Sequence, residues 1–133
     1  MTDTYVYLIH EGDWNSDAYL PGASAPDDGA DSMNGGFAAH AAFAKAVADM
    51  GARIVTGEAL QDSKHGGRVV PGAGDRKVED AVYTDGPFTD TSEVISGLYV
   101  VEADDEDTAR RIAALVPTGG HIEWRKVFPK TGM

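Results

Sequence analysis

The stretch Val82–Asp105, VYTDGPFTDTSEVISGLYVVEADD, joins a strand end, a sharp bend and a long second strand, and its reading decides the fold. Asp85-Gly86-Pro87-Phe88 is the bend. Gly86 takes backbone angles closed to other residues, while Pro87 fixes its own φ and pushes Gly86 out of the α region. Asp85 is thereby presented on a rigid corner, and Phe88 can turn back into the core. Downstream, Val94–Ala103 reads as a strand with two apolar faces, because Tyr99, Val101 and Ala103 alternate with Leu98 and Val100. Such a strand needs cover on both sides. Helices supply one cover, and a second subunit is the simplest source of the other.

Working outward, Asp104–Leu115 reads as a helix, with Asp104 as N-cap and Asp107 three residues on. Its acidic first turn complements the helix dipole, and Arg110 and Arg111 follow. Pro117-Thr118-Gly119-Gly120 ends it, and His121–Phe128 alternates as a final strand. Upstream, Gly67–Val70 and Lys77–Thr84 are extended segments flanking a Pro-Gly-Ala-Gly-Asp turn cluster, the pattern of a hairpin. Arg53–Gly57 is a short strand. Before it, an Ala-rich helix spans about Asn34 to Met50, with Gly51 at its C-cap. Phe37, His40, Ala41, Ala44, Val47 and Ala48 share one face of it, broadened by Phe43 and Met50. Thr4–His10 is a strand, and the Gly/Pro/Asp/Ser-rich segment 11–32 is expected to be an exposed variable loop. The order of strand, helix, strand, hairpin, strand, helix and strand predicts an α+β split βαβ sandwich, with two helices on one face of an antiparallel sheet.

The 133 residues make one domain, 1–133, large enough for one core. A net charge of −11 repels nucleic-acid phosphates and anionic membranes, so neither is expected as a partner. The absence of cysteine excludes disulfides, thiolate nucleophiles and Cys-ligated metals. No apolar run reaches the length of a membrane span, and the N-terminus lacks the basic start of a signal peptide, so a cytoplasmic location is expected.

Among candidate reactive groups, His40 sits on the apolar face of the first helix. It is either a core histidine satisfied by a backbone carbonyl or a general acid/base, its ordinary pKa of about 6.5 lying near neutrality. Asp85 is either a turn residue capping backbone N–H groups or the carboxylate that orients the His40 ring and stabilises its charged form. His10 ends the first strand, as a solvated strand end or as a group reaching the same cleft. His65 reads as a surface residue. His121, Glu123 and Arg125 share one strand face, an intersubunit or solvated row or else a pocket lining, while Ile122, Trp124 and Phe128 take the other. Tyr99 and Trp124 read as core or interface anchors. No HxxH, HxH or HxxxH spacing occurs, so no metal is expected. Gly72–Asp75 lacks the Lys-Ser/Thr and following helix of a phosphate loop, and no GxSxG motif is present.

Over nearly its whole length the chain resembles the YCII-related, or DGPF-domain, proteins. The matching pieces are AAHAAFAKAV around His40, GEAL at Gly57–Leu60, DGPF at Asp85–Phe88, GLYVVEA at Gly97–Ala103 and GGHIEWRKV near the end. The 11–32 segment departs from the short connection or helix start usual in such proteins. The resemblance implies a ferredoxin-like fold whose sheets pair in a dimeric α+β barrel, and a His–Asp pair in a cleft, here His40 and Asp85. The function expected is cofactor-free acid/base chemistry on a small molecule, of lyase, isomerase or dehydrohalogenase type, by a homodimer. Tyr99, His10, His121 and Arg125 are candidates for the pocket lining. The alternative is a non-catalytic dimeric ligand-binding or regulatory accessory module, since DGPF proteins resemble modules found beside alternative sigma factors.

Overall fold

The structure, a computed structural model, describes residues 2–12, 29–61, 65–85 and 94–129. Strand β1 (Asp3–Glu11) leads to helix α1 (Gly29–Asp49), β2 (Arg53–Ala59), β3 (Gly67–Val70), β4 (Val82–Asp85), β5 (Val94–Ala103), helix α2 (Glu106–Ala113) and β6 (His121–Lys126). The main sheet is antiparallel with the order β2-β5-β1-β6, and β3 and β4 form a separate two-stranded sheet. With the hairpin set aside, two βαβ halves interleave their strands, an α+β arrangement consistent with a ferredoxin-like fold.

Alternation in β1 assigns the two faces. Tyr5, Tyr7 and Ile9 are buried with Val101 and Ala103 of β5, and both helices cover this face through Phe43, Val47, Ala109 and Ile112. The Tyr7 hydroxyl donates to the Ala109 carbonyl at 2.6 Å, tying the central strand to α2. Burial, with Tyr5 adding to it, pushes the Tyr7 phenol up to about 12. Tyr5 and Trp124 meet with their ring centroids 6.2 Å apart, which anchors β6 to the same core.

Helix α1 begins at Gly29 and β1 runs through Glu11, so both ends of the expected 11–32 loop belong to regular elements. Residues 13–28, its remainder, lie outside the described residues. The buried stripe of α1 also differs from expectation. Phe43 and Val47 are buried, and His40, Ala46 and Met50 are partly so, whereas Ala41, Ala44 and Ala48 are exposed. Alanine fits either face, so the bulky side chains set the roll of the helix. At its C-terminus Gly51 takes φ +78°, its N–H donates to the Ala48 carbonyl, and the Ala52 N–H donates to that of Val47. This is a Schellman stop, with Val47 and Ala52 both against the core.

Three further boundaries move. The N-cap of α2 is Asp105 rather than Asp104, its Oδ1 accepting from the Thr108 N–H at 2.7 Å. Asp104 instead follows the last residue of β5, where its backbone is still leaving the sheet. Lys77–Thr84 is interrupted by a 3₁₀ turn at Val78–Asp80, so extended pairing resumes only at Val82. Strand β6 stops at Lys126, leaving Phe128 76% exposed beyond it rather than in an apolar row.

The cap carries a test. Hydrogen bonds from the Thr108 backbone N–H and then from its side chain hold the Asp105 carboxyl below its ordinary 3.8. A depressed carboxylate pKa stabilises the fold above the unfolded value and loses that contribution as pH falls through the folded one. Asp105→Ala should lower Tm by about 3–5 °C at neutral pH, and Asp105→Asn should retain most of it. Melts followed by circular dichroism should show the wild-type-to-alanine gap closing as the pH drops below 3.8.

Candidate functional site

On the helix-covered side of the sheet a cavity of about 250 Å³ opens between α1, β2 and β5, lined by Ile9, Glu11, His40, Tyr99 and Pro117 together with residues 57–59 of β2 and 96–98 of β5. Its size fits a small ligand, at or below the usual lower bound for binding pockets. His40 arrives from the fourth turn of α1, one turn before Phe43, and Tyr99 from the centre of β5. The His40 Nδ1 is hydrogen-bonded to the Tyr99 hydroxyl. Their ring centroids lie 5.7 Å apart, and Phe43 sits 4.9 Å from Tyr99 on the other side. Burial raises the Tyr99 phenol above its ordinary 10.0, so it keeps its proton at neutral pH, and the His40 tautomer decides which of the two groups donates.

Gly57 of β2 is paired with Tyr99 and gives the ring its floor. A Cβ at Gly57 would stand 2.5 Å from Tyr99 Cε1 and 2.7 Å from Cδ1. The phenol therefore lies flat across the neighbouring strand only because that position carries no side chain. Glu11 closes the β1 end of the cavity, its Oε1 accepting from the Thr118 hydroxyl at 2.8 Å.

Tyr99 and His40 thus share this cavity, and the anchor expected of Tyr99 is also a polar partner. The other candidates lie elsewhere. The register of β1 with β6 puts His10 beside His121, Leu8 beside Glu123 and Val6 beside Arg125, all on the face away from the helices. There the His10 and His121 rings stack, 4.8 Å between centroids and 5° between planes. His10 Nε2 approaches Glu123 Oε1 to 3.4 Å without forming a hydrogen bond, and Arg125 reaches Glu123 Oε2 at 3.1 Å. His10, His121 and Arg125 are not among the residues lining the His40 cavity, because the pleat turns them to the far side of the sheet. Asp85 ends β4 opposite Gly67. Its side chain and the bend at 86–93 lie outside the described residues, as therefore does any His40–Asp85 contact. Among the described residues no group of three or more metal-ligating side chains is gathered, and no helix is long and apolar enough to cross a membrane.

Gly57 is the residue that sequence reasoning passed over, although it opens the GEAL piece quoted above. Only the register with Tyr99 exposes its role. Gly57→Val should displace the Tyr99 ring, break its bond to His40 and cost about 1–3 kcal/mol of stability by overpacking. Chemical denaturation would measure the loss, and the Tyr99 ring resonances would report the displacement.

No curated protein matches the chain. Of the residues lining the cavity, His40, those of β2 and β5 and Pro117 lie within the segment that matches a known family, and Ile9 and Glu11 lie before it. Residues 24–131 match the YCII-related domain, and on that extent the chain belongs to the YCII-related domain family.

Proposed function

We propose that the protein performs acid/base chemistry on a small molecule bound in the His40 cavity, with Asp85 holding and charging the His40 ring. The observation that carries this reading is a titratable pair, His40 and Tyr99, joined by a hydrogen bond within an otherwise largely apolar cavity. Apolar walls exclude water and strengthen each polar interaction inside them. A histidine serving only the core would be satisfied by backbone; the half-buried His40 is bonded to a second proton-carrying group. No cofactor enters the proposal.

The minimal reaction of such a site is exchange of an activated C–H proton with solvent. Wild-type protein should accelerate deuterium uptake into small ketones and phenols in heavy water, followed by proton NMR. His40→Asn should lose about 10²–10⁴-fold of that acceleration, the usual worth of a positioned acid/base. Asp85→Asn should lower it too and shift the titration of the His40 ring. If wild type catalyses no exchange while it and His40→Asn bind the same compounds equally well, the site belongs to a ligand-binding module.

We also infer a homodimer packed through the sheet face opposite the helices. Support comes from Val6, Leu8, Leu98 and Val100, a half-buried apolar strip down the middle of that face. Charges border it in Arg53–Glu102 and Arg125–Glu123 pairs, the layout of an apolar interface with a polar rim. An interface of the standard size would bury about 1,600 Å². Sedimentation should give a dimer at micromolar concentration and a monomer for Val6→Glu; a wild-type monomer would remove the barrel from the proposal.

A further inference from the structure

We propose that Glu11 holds the far end of the ligand in the His40 cavity, accepting a hydrogen bond from a hydroxyl or amine that the ligand carries. This assignment rests on the reading of the cavity as a ligand site, whatever step His40 performs in it. Alternation along β1 sends Tyr5, Tyr7 and Ile9 into the core, and Glu11 is the next position on that helix-covered face. The extra residue at the register break is on β5, so β1 keeps its alternation through it. A carboxylate in that row costs free energy unless it is hydrogen-bonded. Glu58, the other acid of the lining, is paired with Leu98 and turns its side chain to the opposite face.

The bond that Glu11 makes is itself fixed in direction. Its Oε1 accepts from the Thr118 hydroxyl at 2.8 Å, and the Thr118 oxygen accepts from the Gly120 N–H at 3.0 Å. A backbone N–H only donates, so the single hydrogen of the Thr118 hydroxyl goes to the carboxylate. The end of β1 is thereby tied to the segment between α2 and β6, and the carboxylate is oriented. One hydroxyl does not exhaust it, because two carboxylate oxygens accept about four hydrogen bonds. At the register break Ser96, 5% exposed and also lining the cavity, has its hydroxyl 3.5 Å from the Ile9 carbonyl. That is the outer limit of a hydrogen bond, and a hydroxyl rotates readily, so Ser96 can turn to the same ligand group.

Register also sets the span between the two polar ends. Tyr99 is paired with Tyr7, four positions before Glu11 on β1, which is about 13 Å along the sheet. Both side chains line the cavity, with Ile9 midway between those levels. A compact molecule that meets His40 and Tyr99 at one end meets Glu11 at the other. Since a carboxylate only accepts, the group it meets carries a hydrogen. The ligand class is a small molecule with its reacting or accepting group at one end and a hydroxyl or amine at the other.

Acetophenone, 4-hydroxyacetophenone and 4-aminoacetophenone are the probes, titrated into the full isotope-labelled chain and followed by NMR. Wild type should bind at least one substituted ketone about 10- to 100-fold more tightly than acetophenone, the worth of a hydrogen bond to a charged acceptor. The tighter of the two identifies the donor. Glu11→Leu should bring the ratio close to one, and Glu11→Gln, an acceptor without the charge, should keep part of it. Thr118→Val should also lower the ratio, because the carboxylate loses its orientation; it and Glu11→Gln carry the comparison if Glu11→Leu does not fold. No preference in wild type, or a preference unchanged by these substitutions, overturns the assignment. A Glu11-dependent preference without proton exchange removes the acid/base reading and leaves Glu11 its role. Exchange that depends on His40, with no preference among the probes, does the reverse.

Discussion

Because β1 and β5 pair in one antiparallel register from Asp3–Ala103 to Ile9–Gly97, each side chain of both strands is committed to one side of the sheet. A slip of one residue would exchange the two faces entirely. In the observed register Tyr5, Tyr7, Tyr99 and Val101 meet the helices, and Val6, Leu8, Leu98 and Val100 meet the opposite side. The positions of the core, the cavity and the apolar strip all depend on this one ladder. The register breaks once, between Ile9 and His10, where Ser96 is taken up without a cross-strand partner. That irregularity lies at the edge of the cavity, where bulges commonly redirect side chains.

The same ladder explains how two paired strands supply one tyrosine to the core and another to the cavity. Tyr7 and Tyr99 are direct cross-strand neighbours, yet their hydroxyls end in different places. Tyr7 reaches forward to the Ala109 carbonyl of α2 and is structural. Tyr99 lies over Gly57 and ends at His40 in α1. Residue type does not separate the two. What separates them is the partner, a backbone carbonyl that cannot change its charge against an imidazole that can.

The hairpin of β3 and β4 stands apart from this arrangement. Of the large apolar residues exposed on the chain, Val69, Val70, Val78, Val82 and Tyr83 all belong to it or to the turn within it. An isolated pair of strands is marginal in water unless packed against something. It also carries Asp85 at its end, so the proposed partner of His40 comes from the element least integrated with the main sheet.

Much of the fold was legible in the sequence because its signals are local. Dense aromatic and β-branched residues marked β1, alternation marked β5 and β6, a glycine at 51 marked the end of α1, and turn residues marked the hairpin. Family membership followed from the spacing of short motifs. Errors clustered where local signals are degenerate. Alanines fit either side of a helix, so Ala41, Ala44 and Ala48 were placed inward although Phe43 set the roll. Two adjacent aspartates cap equally well on paper, and the path of the chain out of β5 chose Asp105. The candidate site was only half legible. His40 stood out by its chemistry, but its partnership with Tyr99 and the space supplied by Gly57 span separations no local pattern encodes. His10, His121 and Arg125, grouped with them on paper, went to the other face. Sequence by itself determined which residues could carry a proton and which strands would form. Only the tertiary structure decided which of them face one another, because that depends on register and on the pleat of a sheet assembled from distant segments.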